Sequence, residues 1–491
     1  MKQNNYAKLS IAIIIGVAIL RFVFALTHTT SGDACWHLAS ARFIATNDKV
    51  PLFEGLGRLE PFWPPPFFHF VAALFYKISS LISYNIAGLS MKLVSPIFGT
   101  LTVIIAYLIA RKLFDDRVAF YSIIFLNFVP FFIDYSVFSY VDSTVTFFSI
   151  LSVYFMLNNK YILSSISFGL ALLSKYNALF MLPMLIYLAY KNNKGKYTKL
   201  SIIIILPLFI ASSWLLRNYV VLGNPFWPFL NGIFHGVELG TSFNKINFNN
   251  IFSVTAYLTT YLELFGVPNG NILLLIFYDI PYIKYLLVIW VISTIAFIFP
   301  FIKGLFLRIE GKQRYFLTSV HIVFLSYLFM LFIYLINTGW FGARLLLPVV
   351  PFISMIWAKG INSIKINKVY VIAALVISAG FIFTEVVKLS IASKEWSIYK
   401  QDFGWAKTNS KEHDVFYGNG QCLSYNINRL VIDHTSPLDL NKVDYVWVNN
   451  KWGIDFQMNE NSFSKIKSSD KLKVVYDNPA SGTTIYKVIK Q

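Results

Sequence analysis

Apolar runs of 16 to 23 residues recur along this chain of 491 residues. Because a helix needs about 20 apolar residues to cross the hydrocarbon core of a bilayer, such runs are typical of spanning helices. Hydrophobic residues make up 56% of the chain and charged residues 13%, whereas an ordinary soluble domain has about 25% charged residues. A soluble fold could not bury so much apolar surface. The sequence therefore predicts an integral membrane protein that crosses the membrane many times.

The apolar runs predict about eleven spanning helices in an all-α polytopic membrane region. The stretch 64–82 is ambiguous, because after its leading prolines it could also lie along the membrane surface. The first run follows Lys2 and Lys8 as in a signal peptide, but Arg21 interrupts it and no small-residue cleavage pattern follows, so we expect a retained span. The predicted spans are 9–26, 88–110, 118–133, 139–157, 161–174, 176–190, 200–219, 283–302, 317–337, 342–358 and 369–386.

The distribution of basic residues predicts the orientation of the chain. The net charge is +18, and Lys and Arg cluster in alternate loops, whereas the turns at 134–138 and 338–341 are nearly free of them. Cytoplasmic loops carry the excess of Lys and Arg, so we expect a cytoplasmic N-terminus and an outer C-terminus. The positive charge then reflects topology, and nucleic acid is not an expected partner. The basic loops are 111–117, 160, 191–199, 303–314 and 359–368.

Two domains are predicted. Residues 1–386 form a transmembrane domain with long outer loops at 27–87 and 220–282, and residues 387–491 form a small extracytoplasmic domain that holds 11 of the 24 acidic residues. Short runs rich in β-branched and aromatic residues indicate strands, and helices are expected near 394–408 and 459–468, which together predict an α/β fold. The strand patterns are Asp414–Tyr417, Tyr445–Val448 and Lys473–Tyr476.

The chain has only two cysteines, Cys35 and Cys422. Two cysteines can form neither a disulfide framework nor a Cys-rich metal site. Their shared outer compartment is compatible with one bridge, but we expect two free thiols.

Two acidic residues follow predicted span boundaries and are candidates for chemistry. Asp33 opens an amphipathic stretch with His37 one helical turn later, and a carboxylate there could accept a proton from a hydroxyl. The alternative is that Asp33 caps a helix. Asp142 begins the fourth span, and the alternative there is a capping box with Ser139.

A Pro-rich aromatic segment carries Glu60 and His69. Most of its prolines and aromatics are typical of an interfacial belt at a rigid membrane re-entry. Glu60, His37 and His69 could contribute to a divalent metal site, but they do not form a complete ligand set, so metal dependence is left open.

Three cations are predicted at the outer face, against the positive-inside bias: Lys175, Arg217 and Arg344. Each could simply extend from a helix end toward water. Together they could bind the phosphate of a lipid-linked substrate, since Arg contacts phosphate through two hydrogen bonds and Lys acts as a point charge. Arg21 could join them, although extension toward water is the preferred interpretation of that residue.

The order of these motifs resembles the GT-C fold glycosyltransferases, specifically the family of dolichyl-phosphate-mannose protein mannosyltransferases and the lipid A aminoarabinose transferase. The resemblance covers residues 8–360. Each motif alone is loose, whereas the series in order is fairly specific. It consists of Gly32–His37, Glu60-Pro61, Pro65-Pro66, Gly169–Tyr176, Arg217–Tyr219 with Gly223–Phe226, and Arg344 before a Leu-Pro run.

The resemblance implies that a sugar moves from a polyprenyl-phosphate donor to a protein or lipid hydroxyl on the outer face of the membrane. It implies that Asp33 is the base for the acceptor and that Asp142 is an accompanying acid. It further implies that Lys175, Arg344 and Arg217 stabilise the departing phosphate, while His37 and Glu60 contribute to substrate binding. The alternative is a transporter or flippase without covalent chemistry, which would place ionisable residues near mid-membrane and show repeat-related halves; the sequence shows neither.

Overall fold

The architecture is that of a computed structural model of the full chain. The structure describes all residues except 1–2, 29, 31, 53–60, 194–198, 238–246, 255, 258–297, 308–309, 339–341, 365–396, 412, 419, 435–436, 450–465, 467–468 and 491. The chain forms two compact units. The first comprises Met1–Ala25, Pro64–Phe68 and Leu93–Glu385, and the second comprises Leu26–Trp63, His69–Lys92 and Val386–Gln491.

The membrane region is helical. Pro130 begins the helix Pro130–Val137, where the missing backbone N–H of proline has no cost, and Val129 separates this helix from the preceding helix Asp116–Phe128. The helices are α1 (Gln3–Thr27), α2 (Asp33–Asn47), α3 (Phe67–Ser80), α4 (Tyr84–Ser90), α5 (Val94–Leu113), α6 (Asp116–Phe128), α7 (Pro130–Val137), α8 (Asp142–Leu157), α9 (Tyr161–Leu172), α10 (Leu182–Asn192), α11 (Leu200–Leu222), α12 (Asn231–Phe234), α13 (Gly311–Thr338) and α14 (Val350–Asn362).

Five helices in the described part of the chain are long and apolar enough to cross a membrane, or six if α6 and α7 form one broken span. The protein is therefore a multi-pass membrane protein, as predicted, but the count of eleven is not confirmed. The predicted spans at 139–157 and 161–174 form the shorter apolar helices α8 and α9. The predicted span 369–386 and most of 283–302 lie outside the described residues. The five long helices are Asn5–Thr27, Ile86–Leu113, Leu200–Leu222, Gly311–Asn337 and Ala343–Asn362.

Arg21 is buried in α1 rather than extended toward water, so the preferred interpretation of this residue is wrong. Its Nε donates to Ser136 Oγ at 2.9 Å, and one Nη donates to Asn127 Oδ1 at 2.9 Å. The guanidinium also lies over the ring of Phe132. A charge can be buried in an apolar environment only when polar groups replace its water, and α6 and α7 supply these groups.

The C-terminal residues form a five-stranded mixed sheet with helices α15 (Lys400–Asn409) and α16 (Gly420–Ile427). The sheet order is β2-β1-β3-β5-β4; β1 is parallel to β2 and β3, and β5 is antiparallel to β3 and β4. The predicted α/β fold and its three strand patterns are confirmed, whereas β2 and β5 were not predicted. The strands are β1 (Val415–Gly418), β2 (Leu430–Asp433), β3 (Tyr445–Asn449), β4 (Leu472–Asn478) and β5 (Thr483–Val488).

Alternate residues of β3 face opposite sides of this sheet, as the period of two requires. Tyr445 and Trp447 pack in one buried cluster with Phe403 of α15, whereas Val446 and Val448 pack in another. Buried Asp402 of α15 accepts hydrogen bonds from Tyr476 Oη at 2.7 Å and from Asn478 of β4. Burial together with the hydrogen bond to Asp402 raises the pKa of Tyr476 to about 12.

Cys35 and Cys422 form a disulfide, so the expectation of two free thiols is wrong. The two residues are 387 positions apart in the chain, and their Cα atoms are 5.0 Å apart. Both lie in the second unit, where α2 packs against α16. The pairing depends on this long-range contact, which no local sequence pattern reveals.

Candidate active site

An ion pair lies at the turn that follows α9. Lys175 Nζ donates to Asp142 Oδ1 at 2.5 Å. Asp142, the first residue of α8, is 1% exposed, whereas the side chain of Lys175 is 20% exposed. A buried carboxylate beside a partly exposed ammonium holds that cation in a fixed position and compensates its charge. The structure thus brings two of the predicted site residues into direct contact.

The alternative interpretation of Asp142 as part of a capping box with Ser139 is wrong. The N-cap of α8 is Val141, and no side chain caps this helix. The first helical hydrogen bonds run from the backbone N–H groups of Thr144 and Val145 to Val141 O. The helix therefore begins two residues later than a Ser139 cap requires, and the Asp142 carboxylate is directed to Lys175 instead.

Tyr176, which follows Lys175 and begins the 3₁₀ helix Tyr176–Met181, contacts the element that carries Arg217. Asn218 Nδ2 of α11 donates to Tyr176 Oη at 3.0 Å, and Arg217 Nη1 donates to Asn218 Oδ1 at 2.9 Å. The guanidinium of Arg217 lies 4.8 Å from the ring centroid of Trp214. Arg217 is thus stacked and hydrogen-bonded, which restricts its orientation more than simple extension toward water would.

Asn177, the second residue of this 3₁₀ helix, contacts the element that carries Arg344. Its Nδ2 donates to Leu345 O at 3.0 Å, in the 3₁₀ segment Ala343–Val349. This segment also packs against α8. Three successive residues, 175–177, therefore contact the three elements on which the other site residues of the first unit lie.

Sequence reasoning identified Lys175 in this turn but not Tyr176, Asn177 or Asn218. Tyr176 is half-buried, and Asn177 and Asn218 are nearly inaccessible to solvent. Buried side-chain amides need hydrogen-bond partners. The position of these polar residues, directly beside a predicted site cation in the sequence, could therefore have indicated that they belong to the site.

Asp33 lies in the second unit as the first residue of α2. The N-cap position belongs to Gly32, so Asp33 does not cap this helix as the alternative proposed. Asp33 is partly exposed and lies in the first turn of α2, where a negative charge interacts favourably with the partial positive charge of the helix N-terminus. An accessible carboxylate is what a proton acceptor requires.

Gly32 adopts a backbone conformation that only glycine tolerates well, with φ 57° and ψ −142°. We expect Gly32→Ala to lower the free energy of unfolding by about 1–3 kcal/mol, or to displace the start of α2 and with it Asp33. Thermal unfolding in lipid measures the first effect. Gly88→Ala is the matched control, because a Cβ at Gly88 in α4 meets no atom within 4 Å. Equal losses of unfolding free energy in both variants would contradict a special backbone requirement at Gly32.

His37 lies one turn after Asp33, as predicted, and is paired with His69 of α3. Its Nδ1 is 3.0 Å from His69 Nε2, and the tautomers decide which nitrogen donates. Both imidazoles are buried and lie against the rings of Trp36 and Phe62. Burial, together with the neighbouring His37, lowers the pKa of His69. The pair therefore joins α2 to α3, and the substrate-binding role of His37 stays a prediction.

Glu60 lies outside the described residues. Within the described part of the chain, no group of three or more His, Cys, Asp or Glu side chains is placed to hold a metal ion. Since Glu60 belongs to the predicted ligand set, the described residues alone do not test this set, and no chemical step is assigned to a metal here.

The chain is similar to known proteins in part of its sequence and in its fold. A family model described as dolichyl-phosphate-mannose-protein mannosyltransferase matches residues 64–215, which include Asp142 and Lys175. None of the curated proteins matches the chain. The structure is similar to ArnT from Cupriavidus metallidurans in the apo state, with a TM-score of 0.66 and 12% identity over 98% of both chains.

Two further solved structures have the same fold. ArnT from Cupriavidus metallidurans bound to undecaprenyl phosphate gives a TM-score of 0.65 at 12% identity over 97% of both chains. The Archaeoglobus fulgidus oligosaccharyltransferase in complex with Zn and sulfate gives a TM-score of 0.52 at 13% identity, covering 88% of this chain and 68% of that one. The chain therefore has the GT-C fold, and its predicted resemblance to the dolichyl-phosphate-mannose protein mannosyltransferase and aminoarabinose transferase family is confirmed.

Proposed function

We propose that this protein is a membrane glycosyltransferase that moves a sugar from a polyprenyl-phosphate donor to a protein or lipid hydroxyl on the outer face of the membrane. The observation that carries the proposal is the segment 175–177, in which Lys175 pairs with Asp142 while Tyr176 and Asn177 contact the elements that bear Arg217 and Arg344. The GT-C fold supports the reaction class, and ArnT from Cupriavidus metallidurans has been solved with undecaprenyl phosphate. A transporter without covalent chemistry is not favoured.

The proposed reaction forms one bond and breaks one bond at the anomeric carbon, and it transfers one proton. The acceptor oxygen attacks the anomeric carbon of the sugar, and the bond from that carbon to the phosphate oxygen breaks. The acceptor proton passes to the Asp33 carboxylate, and the polyprenyl phosphate leaves with the bonding electrons. The family resemblance implies inversion at the anomeric carbon.

Lys175, Arg344 and Arg217 are proposed to stabilise the phosphate as negative charge develops on it. Fixed cations contribute most where the surroundings exclude water and where they need not reorganise during the reaction. The ion pair with Asp142 and the stacking of Arg217 on Trp214 provide such fixed positions. Asp142 is therefore proposed to hold Lys175 in place rather than to accept the acceptor proton.

Arg344→Ala tests the binding of the donor phosphate. A hydrogen bond to a charged group contributes about 1.5–3 kcal/mol, so we expect the KM for the donor to rise about tenfold to a hundredfold. Steady-state kinetics in lipid, with the donor concentration varied, measures this change. Arg117→Ala is the matched control, because Arg117 contacts Tyr121 on its own helix α6. An unchanged donor KM in Arg344→Ala would remove Arg344 from the phosphate site.

A further inference from the structure

The disulfide attaches the helix that begins with Asp33 to the C-terminal domain. Cys35 lies two residues after Asp33 in α2, and Cys422 lies in α16, between β1 and β2 of the sheet. Their exposed fractions are 0% and 3%. The covalent link therefore lies in the first turn of α2, close along the chain to the proposed base, and is shielded from solvent.

A second contact fixes α2 two turns further along. Arg42 donates to Ser424 O at 3.0 Å and to Tyr425 O at 3.3 Å, in the last turn of α16. A cation at a helix C-terminus satisfies carbonyl groups that lack helical partners and interacts favourably with the helix dipole. Cys35 and Arg42 are seven residues apart, so both lie on the same face of α2. Two attachment points on one face oppose both sliding and rotation of α2.

We propose that Cys35, Cys422 and Arg42 are positioning residues, through which the C-terminal domain holds α2 so that Asp33 keeps the orientation needed for proton transfer. The inference rests on the proposed function. A displacement of about 1 Å at a reacting group can lower a rate about a hundredfold, so the attachment of α2 affects the turnover number and not only the stability of the fold. It also gives the C-terminal domain a role that requires an oxidising compartment, where disulfides persist.

The first test compares Cys35→Ala, Cys422→Ala and the double variant as full-length protein in lipid. Each single variant breaks the same bond, so we expect all three to lower kcat for transfer by a similar factor, about tenfold to a hundredfold. The affinity for polyprenyl phosphate, measured by direct binding, should stay unchanged because Lys175 and Arg344 are intact. A double variant with wild-type kcat and only a lowered Tm would overturn the inference. The disulfide would then contribute to the stability of the fold and not to the position of Asp33.

Reduction of the wild-type protein provides a matched chemical test. Dithiothreitol transfers two electrons and two protons to the disulfide, which gives two cysteine thiols, and is itself oxidised to a cyclic disulfide. We expect reduced wild-type protein, verified by thiol labelling of a denatured aliquot because both cysteines are buried, to show the kcat of the double variant, whereas the double variant should not respond to the reductant. An equal response of both proteins would show that the effect of the reductant does not involve this bond.

Arg42→Met tests the second attachment point against Arg429→Met. Arg429 also donates to backbone carbonyls, Ser410 O at 2.9 Å and Lys407 O at 3.1 Å, but these belong to the C-terminal residues. We expect Arg42→Met to lower kcat and Arg429→Met to lower only Tm. Equal kcat values in the two variants would contradict a positioning role for Arg42.

Hydrogen exchange separates this inference from the proposed function, because it does not depend on catalysis. The backbone amides of residues 33–47 should exchange faster in the Cys35→Ala, Cys422→Ala double variant than in wild type. Unchanged exchange over α2 would overturn the inference even if the protein transfers sugar. Faster exchange in a protein that consumes no donor would support the attachment of α2 and count against the proposed function alone.

Discussion

Asp33→Asn is expected to lower kcat for sugar transfer by about 10²- to 10⁴-fold, the contribution that a positioned general base makes. Asparagine keeps the size of the side chain but cannot accept the proton of the acceptor hydroxyl. The fold should persist, because a partly exposed acid in the first turn of a helix contributes only about 0.3–1 kcal/mol through the helix dipole. The Cys35–Cys422 bond should form as in wild type.

Single-turnover measurements at saturating donor test this expectation without interference from binding. Asp48→Asn is the matched control, because Asp48 follows the other end of α2 and pairs with Lys77 on the protein surface. A wild-type rate in Asp33→Asn would remove Asp33 from the mechanism. Equal losses in both variants would indicate general damage to α2.

Breaking the Asp142–Lys175 pair is expected to have the second large effect. Removing one partner of a buried ion pair costs about 3–5 kcal/mol, because the other charge stays buried without compensation. Asp142→Asn and Lys175→Met should each destabilise the protein, Asp142→Asn less because Lys175 is partly exposed. Loss of the cation should also lower transfer by about 10²- to 10³-fold, the usual effect of removing one group that stabilises developing negative charge.

The double variant separates the loss of stability from the loss of sugar transfer. Asp142→Asn combined with Lys175→Met removes both charges, so stability should recover toward wild type while transfer stays low. Lys442→Met with Asp439→Asn is the matched control, because the side chains of Lys442 and Asp439 are 72% and 43% exposed and a solvated ion pair contributes at most about 1 kcal/mol. Recovery of transfer in the first double variant would show that Lys175 acts only on stability.

The fold class and the order of the site motifs could be predicted from the sequence because both depend on local patterns. Apolar runs indicate helices in lipid, and isolated ionisable residues at their ends stand out from an otherwise apolar chain. Asp33 at the start of α2 and His37 one turn later follow from this reasoning and from helical periodicity. The number of spans stays a prediction, because helices such as α8 and α9 are shorter than the thickness of the bilayer, and the predicted spans 369–386 and most of 283–302 lie outside the described residues.

The contacts that hold the site residues could not be predicted, because they join distant parts of the chain. The hydrogen bond from Asn177 to Leu345 spans 168 positions, and the contact from Arg42 to Ser424 spans 382. The disulfide spans 387 positions, and a pair of cysteines in a long chain carries no information on pairing unless the fold is known. Local spacing identified candidate residues, whereas tertiary packing determines their partners.

The proposed transfer reaction is tested most directly by donor consumption. Purified wild-type protein in lipid is supplied with radiolabelled polyprenyl-phosphate sugars and extracted acceptor lipids and proteins, and the released polyprenyl phosphate is measured beside Asp33→Asn. We predict that wild type consumes at least one donor and releases its polyprenyl phosphate, while Asp33→Asn does not. A folded wild-type protein that binds these donors and releases no polyprenyl phosphate from any of them would contradict the assignment as a transferase.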